Sequence, residues 1–186
     1  MKSKFTILFL IVCVACKSAK NGTVQQENNY ELEQMIKKDQ EIRTNDSDEP
    51  FEPIDQKHRL RVFEMLVNGE LQTATDNENA ALLLQHTAAT YCNDKLVSVS
   101  PENYYLAYCL AKKACGNCYL TAVTLDRYLL FTVGQQKFGT QKEWSEQEQK
   151  FLWSPIDSTT SDAERSAYSV PTLQNLLLEC EMIEKQ

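Results

Sequence analysis

The stretch 118–141, CYLTAVTLDRYLLFTVGQQKFGTQ, constrains this chain more than any other. Its first part reads as an almost wholly apolar helix, and its end as a polar loop holding Gly134, Gly139 and a run of amides. A helix that is hydrophobic on every side belongs in a core. Asp126 and Arg127 stand in the middle of it, and buried charges persist only when paired or hydrogen-bonded. The domain is therefore expected to be arranged around those two residues.

The remaining elements follow from periodicity and end signals. A first helix runs from Asn29, its N-cap, to Arg43, with Leu32, Met35, Ile36 and Ile42 near helical spacing. An acidic, Pro-broken loop over 45–54 leads to a second helix from Asp55 to Asn68, its Leu60, Phe63, Leu66 and Val67 facing inward and Gly69 closing it. Thr75-Asp76-Asn77-Glu78 reads as the capping box of a third helix that continues to about Cys92. Ser100-Pro101 starts a fourth, which ends in Lys112 and Lys113 before Gly116. After the fifth, two short runs, Lys142 to Trp144 and Phe151 to Trp153, flank a polar tip and predict a hairpin. A helical turn around Arg165 and a last helix after Pro171 complete the domain. With only five Gly and five Pro, a turn-rich sandwich or barrel is disfavoured. The expected fold is mostly α: a single helical bundle-like domain over 29–186 with a small β-hairpin near 142–153.

The N-terminus speaks to location. Lys2 and Lys4 precede an apolar run, Phe5 to Ala15, of eleven residues. A membrane span needs about 20, so the run fits the hydrophobic region of a signal peptide over residues 1–15. Val14-Ala15-Cys16 resembles a bacterial lipobox, which implies a lipid on the Cys16 thiol and a membrane as partner; Cys13 stands where that pattern prefers Leu. Residues 17–28 lack apolar periodicity and read as a tether. Lys17 and the lack of an acidic cluster beside it favour the periplasmic side, with surface exposure left open. A formal charge of −7 and the absence of a basic stripe argue against nucleic acid. No cofactor is foreseen, and the small-molecule or protein partner is left unnamed.

Beyond Cys16 the chain carries Cys92, Cys109, Cys115, Cys118 and Cys180. Cys115-Gly-Asn-Cys118 follows one helix and precedes another, unlike a thioredoxin site, where a strand leads into the motif. Zinc needs four ligands, and no second CxxC or HxxxH supplies them. A local disulfide clamping the turn is the expectation, with reactive thiols as the alternative, while a Cys92–Cys115 bridge is disfavoured by the length of the fourth helix, about 20 Å at 1.5 Å per residue.

Counting along the helices places the charges. His86 lies eight residues into the third helix, counted from Glu78, and Asp126 eight residues beyond Cys118. In parallel third and fifth helices the two sit level, ~12 Å above the same end of the bundle. Asp126 is thus expected to orient His86, with Glu or Asp from the first two helices serving Arg127. An Asp-oriented imidazole is a usable general base, and an arginine holds an anionic group. The loop residues Gln136, Phe138, Gly139, Thr140 and Gln141 add donors and a close backbone approach. The same residues also fit a structural network that fixes helix register, and both readings stand at this point. His58, between Lys57 and Arg59, reads as a surface residue, and Asp39–Arg43 as an ordinary i,i+4 ion pair.

Asp39-Gln40 with Arg43, Gln85-His86, Asp126-Arg127, the run from Gly134 to Phe138-Gly139-Thr140-Gln141, and Arg165 occur in this order. Together they resemble an uncharacterised bacterial domain family of secreted proteins and lipoproteins, marked by Gln-His, Asp-Arg and Tyr/Phe-Gly-Thr-Gln. The likeness covers about residues 30–180. It departs at Asn68-Gly69-Glu70-Leu71, where the family often has Gly-Trp-Pro, and at His58, where Asn is usual. The resemblance implies a polar site that draws in Asp39, Arg43, Gln85 and Arg165 beside His86, Asp126 and Arg127. The family carries no established activity, so the resemblance implies no reaction.

Overall fold

The computed structural model describes residues 26–44, 51–92 and 95–182. The leader, Cys16, most of the tether and most of the acidic loop lie outside them. In chain order the elements are α1 (Tyr30–Thr44), α2 (Phe51–Val67), α3 (Ala74–Gln85), β1 (Ala89–Cys92), β2 (Lys95–Ser98), α4 (Pro101–Cys115), α5 (Tyr119–Val133), β3 (Lys142–Ser145), β4 (Lys150–Trp153), α6 (Asp162–Ala167) and α7 (Leu173–Glu179). The mostly helical expectation holds, as does the hairpin, in which β3 pairs antiparallel with β4 from Lys142↔Trp153 to Ser145↔Lys150.

Two cores divide the work. The first gathers Leu32, Val62, Met65, Leu83 and Leu84 with the small residues Ala80, Ala81, Ala107 and Ala111. Those alanines line the contact of α3 with α4, and short side chains there let the two helices approach closely. The second core holds Ala122, Phe138, Trp153, Ile156, Val170 and Leu176. It ties α5 to the hairpin and α7, and the Trp153 indole donates to the Leu176 carbonyl at 2.7 Å.

Four expectations are corrected. The third helix stops at Gln85, and β1 (Ala89–Cys92) pairs antiparallel with β2 (Lys95–Ser98) where the helix was expected to continue. The β1 run Thr90-Tyr91 is rich in residues that favour extended backbone, and the chain leaves the helix to follow it. The capping box lies two residues earlier than expected. Thr73 is the N-cap, its hydroxyl accepting from Asp76 N–H while Asp76 accepts from Thr73 N–H.

The second helix begins at Phe51 and buries a different stripe. Asp55, His58, Arg59, Val62 and Met65 face inward, whereas Leu60 and Val67 are exposed; Phe63 and Leu66 pack as expected. The cause is that the inner face of its first half meets charges on α1 rather than an apolar surface, so His58 is buried. Finally, α5 is not wrapped by core on all sides. It turns Thr121, Ala122, Thr124 and Asp126 inward and leaves Tyr119 and Val133 exposed.

Asp76 does more than cap its own helix. It accepts from Asn29 N–H at 2.7 Å, Thr73 N–H at 2.9 Å and Gln72 N–H at 3.0 Å, so one carboxylate holds the starts of α1 and α3 together. Burial opposes its ionisation, but these N–H donors outweigh burial and hold the carboxyl below the usual aspartate range. Replacing Asp76 with Ala leaves several N–H donors unsatisfied and is expected to cost about 2–3 kcal/mol. Urea denaturation measures this, and a loss under about 0.5 kcal/mol overturns the assignment.

Candidate functional site

Asp126 is completely buried, and every acceptor position on it is taken. Oδ1 accepts from the backbone N–H groups of Lys137 and Phe138, both at 2.8 Å. Oδ2 accepts from Gly139 N–H at 2.9 Å, Thr140 N–H at 3.0 Å and the Thr140 hydroxyl at 2.9 Å. Consecutive amides converge on one carboxylate only if the loop curls tightly, and Gly139 makes this possible with φ +98°. A side chain there would also meet Leu176 Cδ1 at 2.6 Å. Burial pushes the Asp126 carboxyl up from its ordinary value, and the donors of the loop, Phe138 N–H and the Thr140 hydroxyl foremost, pull it back.

The amides of Gln136 and Gln141 finish this loop. Fully buried Gln136 accepts from Thr140 N–H and Gln141 N–H and donates to the carbonyls of Gln141 and Ser154. Arg165, fully buried beneath the loop, donates to the carbonyls of Phe138 and Asp157. The expected ligand set Gln136, Phe138, Gly139, Thr140 and Arg165 is thus brought together, with its polar groups turned on one another.

His86 is not paired with Asp126. Its Nδ1 lies 3.0 Å from Asp39 Oδ1, and its side chain keeps 15 % exposure against 1 % for Asp39. Asp39 Oδ1 also accepts from Arg43 Nε at 3.2 Å and Nη2 at 3.1 Å, and Oδ2 accepts from Gln40 Nε2 at 2.8 Å. Arg43 Nη2 reaches on to Asp55 Oδ1 at 2.5 Å. Asp39–Arg43 is therefore a buried anchor rather than a surface pair. Burial opposes charge on Asp39, but the hydrogen bond and charge of His86, followed by Arg43, outweigh it and keep the carboxyl below the usual range.

The middle of α5 does reach the end of α3, but through a different side chain from the one expected. Arg127, not Asp126, meets the end of α3, its Nη1 donating to the Gln85 carbonyl at 2.8 Å and its Nε to Gln141 Oε1 at 2.9 Å. Neighbours on a helix point about 100° apart, so Asp126 turns to the loop while Arg127 turns to α3. No Glu or Asp of α1 or α2 pairs with Arg127 as expected; among the described residues its partners are neutral. Burial pulls its guanidinium below the usual arginine range; Tyr104 works against this and the like charge of Arg43 adds to it.

Asp55, Arg59 and Glu52 join the cluster without having been singled out, and so does His58, which was expected at the surface. Arg59 donates to Glu52 at 3.0 Å, and burial pushes the His58 imidazole down despite the nearby Asp39 and Asp55. The signal available in the sequence was the i,i+3/i+4 run Asp55, His58, Arg59 on one helix face. Buried atoms without partners also fall here, at His58 Nδ1, Arg59 Nη1 and Gln85 Oε1. The groove of ≈ 680 Å³ between α1 and α2 is lined by Glu31, Met35, Lys57, His58 and Leu60, and does not include His86 or Arg127. No cluster of three or more His, Cys, Asp or Glu among the described residues is placed to hold a metal ion.

Comparison with protein-family models, with curated proteins and with solved structures finds no match for this chain.

Two substitutions test this geometry. Asp126→Asn turns an amide N–H₂ toward a ring of donors and is expected to cost about 3 kcal/mol or more, read by chemical denaturation; a near-neutral effect overturns the cradle. Asp39→Asn tests the anchor by pH. A carboxyl whose folded value is lowered stabilises fully above its ordinary value of 3.8 and loses that contribution as pH falls through the folded value. The stability gap between wild type and Asp39→Asn is therefore expected to narrow as pH falls below about pH 4.

Proposed function

We propose that this chain is a periplasmic lipoprotein, anchored through a lipid on Cys16, whose domain is a hydrolytic enzyme built on Asp39, His86 and Arg127. The observation that carries the reading is the Asp39–His86 pair at 3.0 Å, with Arg127 on the carbonyl of the preceding residue, Gln85, and paired among the described residues with neutral groups. Asp39 is held by Arg43 and Gln40, so it fixes the imidazole with Nδ1–H donating to Oδ1. That tautomer leaves the Nε2 lone pair free, and no described group occupies it. Nε2 takes a proton from water or a hydroxyl, and Asp39 stabilises the imidazolium that results. Arg127 offers its guanidinium to an anionic group of the substrate or to charge developing in the reaction.

Asp126 leaves the catalytic set in this reading and becomes the support of the loop that carries Gln141, which in turn aims Arg127. Gln85 acts through its backbone, and Arg165 holds the loop from below. The order of these residues supports membership in the uncharacterised bacterial family described above. A second reading, a non-catalytic binding or scaffold lipoprotein, draws on the saturation of Asp126, Gln136 and Gln141, whose polar atoms are taken up within the protein. A screen with ester, amide, glycoside and phosphoester substrates separates the two. In the enzyme reading His86→Ala lowers turnover by about 10²–10⁴-fold with little change in melting temperature. Activity that survives His86→Ala, or a variant that simply unfolds, favours the network. Mass spectrometry of the mature N-terminus tests the anchor, since an unmodified terminal residue rules out lipidation.

A further inference from the structure

The Cys115–Cys118 disulfide stands apart from the polar site, and its surroundings differ from those of a purely structural bridge. It closes a loop of only three residues' separation, and the entropic benefit of a cross-link is smallest for the shortest loops. The turn it spans is already held without it. Gly116 takes φ +67° and its N–H donates to the Lys112 carbonyl at 3.0 Å. The buried Thr121 hydroxyl donates to the Gly116 carbonyl at 2.9 Å. Cys115 is exposed and Cys118 half-buried, so a reagent reaches one sulfur more readily than the other.

The less accessible sulfur is the better leaving group. Cys118 is the N-cap of the fifteen-residue α5 and makes no side-chain capping bond. A thiolate released there meets the unsatisfied N–H groups and the positive end of the helix, which lowers a thiol's pKa. Its Sγ already lies 3.4 Å from Thr121 Oγ1. Lys112 brings a further positive charge into the turn, its ammonium bonded to Asn117 Oδ1. Low leaving-group pKa and an accessible partner sulfur both speed exchange with a given thiolate.

We propose that Cys115–Cys118 is a thiol–disulfide exchange site that accepts two electrons from a dithiol. One thiolate of the dithiol attacks Cys115 Sγ, the Cys115–Cys118 bond breaks, and Cys118 leaves as the thiolate at the start of α5. The second thiolate of the donor then attacks its own sulfur in the mixed disulfide and releases Cys115. The donor ends as a disulfide, and two protons end on Cys115 and Cys118. The reverse sequence makes Cys115 the attacking and Cys118 the resolving thiol. The domain stays folded throughout, because hydrogen bonds and core packing rather than the bridge hold the α4–α5 turn.

The test uses the full mature chain with Cys92, Cys109 and Cys180, free in the structure, blocked by alkylation beforehand. Native protein is treated with dithiothreitol without denaturant, and newly formed thiols are trapped and located by mass spectrometry. Full reduction within minutes, with a melting temperature that moves only a few degrees, is the expected result. A bridge that opens only when the protein unfolds, or a reduced protein that loses its cooperative transition, overturns the proposal. The leaving group is read separately, from the alkylation rates of Cys118 in Cys115→Ser and of Cys115 in Cys118→Ser as pH is raised from about 5 to about 9. Cys118 is expected to reach its full rate at the lower pH, because the start of α5 stabilises its thiolate. Superimposable pH profiles, or a Cys115 rate that levels off first, remove the assigned roles.

Discussion

One carboxylate organises the second half of this molecule. Asp126 reaches out of the middle of α5 and gathers four consecutive backbone amides and a hydroxyl. Removing a carboxylate from water costs several kcal/mol, and only a complete set of donors offsets it. The loop therefore has little freedom: any relaxation of Lys137 to Thr140 strands an anion in the core. Phe138 is carried into the second core by the same curl, and Gly139 is pressed against Leu176 and Ile156. Packing of the hairpin and α7 thus depends on a polar interaction rather than the reverse.

The site grows outward from that fixed loop. Gln141, next in the chain, accepts from Arg127 and sets the guanidinium against the end of α3. There α3 has just stopped, and His86, as its C-cap, swings to Asp39 on α1. The turn after His86 is itself pinned from α4, where the Tyr104 hydroxyl donates to the Thr87 carbonyl at 2.7 Å and Asn103 donates to the Thr87 hydroxyl at 3.0 Å. Four helices, α1, α3, α4 and α5, contribute to the placement of His86 and Arg127.

Helix identity and order were legible because caps and breakers are local: Asn29, Ser100-Pro101, Gly116 and Gly134 end or begin helices in the structure as their chemistry suggests. The hairpin 142–153 was legible for the same reason. The face of α2 was not, because an apolar count assumes an apolar partner, and Asp55 and His58 instead face Arg43 and Asp39 while buried Arg59 pairs with Glu52. The partners of His86 and Asp126 were misassigned for a different reason. Heights along helices follow from residue counts, but rotation about the axis does not survive an error in where a helix ends, and α3 ends one residue before His86. The polar residues themselves were recognised as a set; which of them serve the loop and which face the imidazole is a matter of tertiary geometry.

The joint at Asp76 has a mechanical meaning. Asn29 N–H is bonded to the same carboxylate that caps α3, so the start of the first helix is fastened to the interior of the bundle instead of fraying. Any pull arriving along the chain from upstream of Asn29 is delivered to the start of α3, and α3 is the helix packed most deeply between α1, α2 and α4. The starts of α1 and α3 thus form one joint, and the same two helices meet again at their other ends, where His86 after α3 reaches Asp39 on α1.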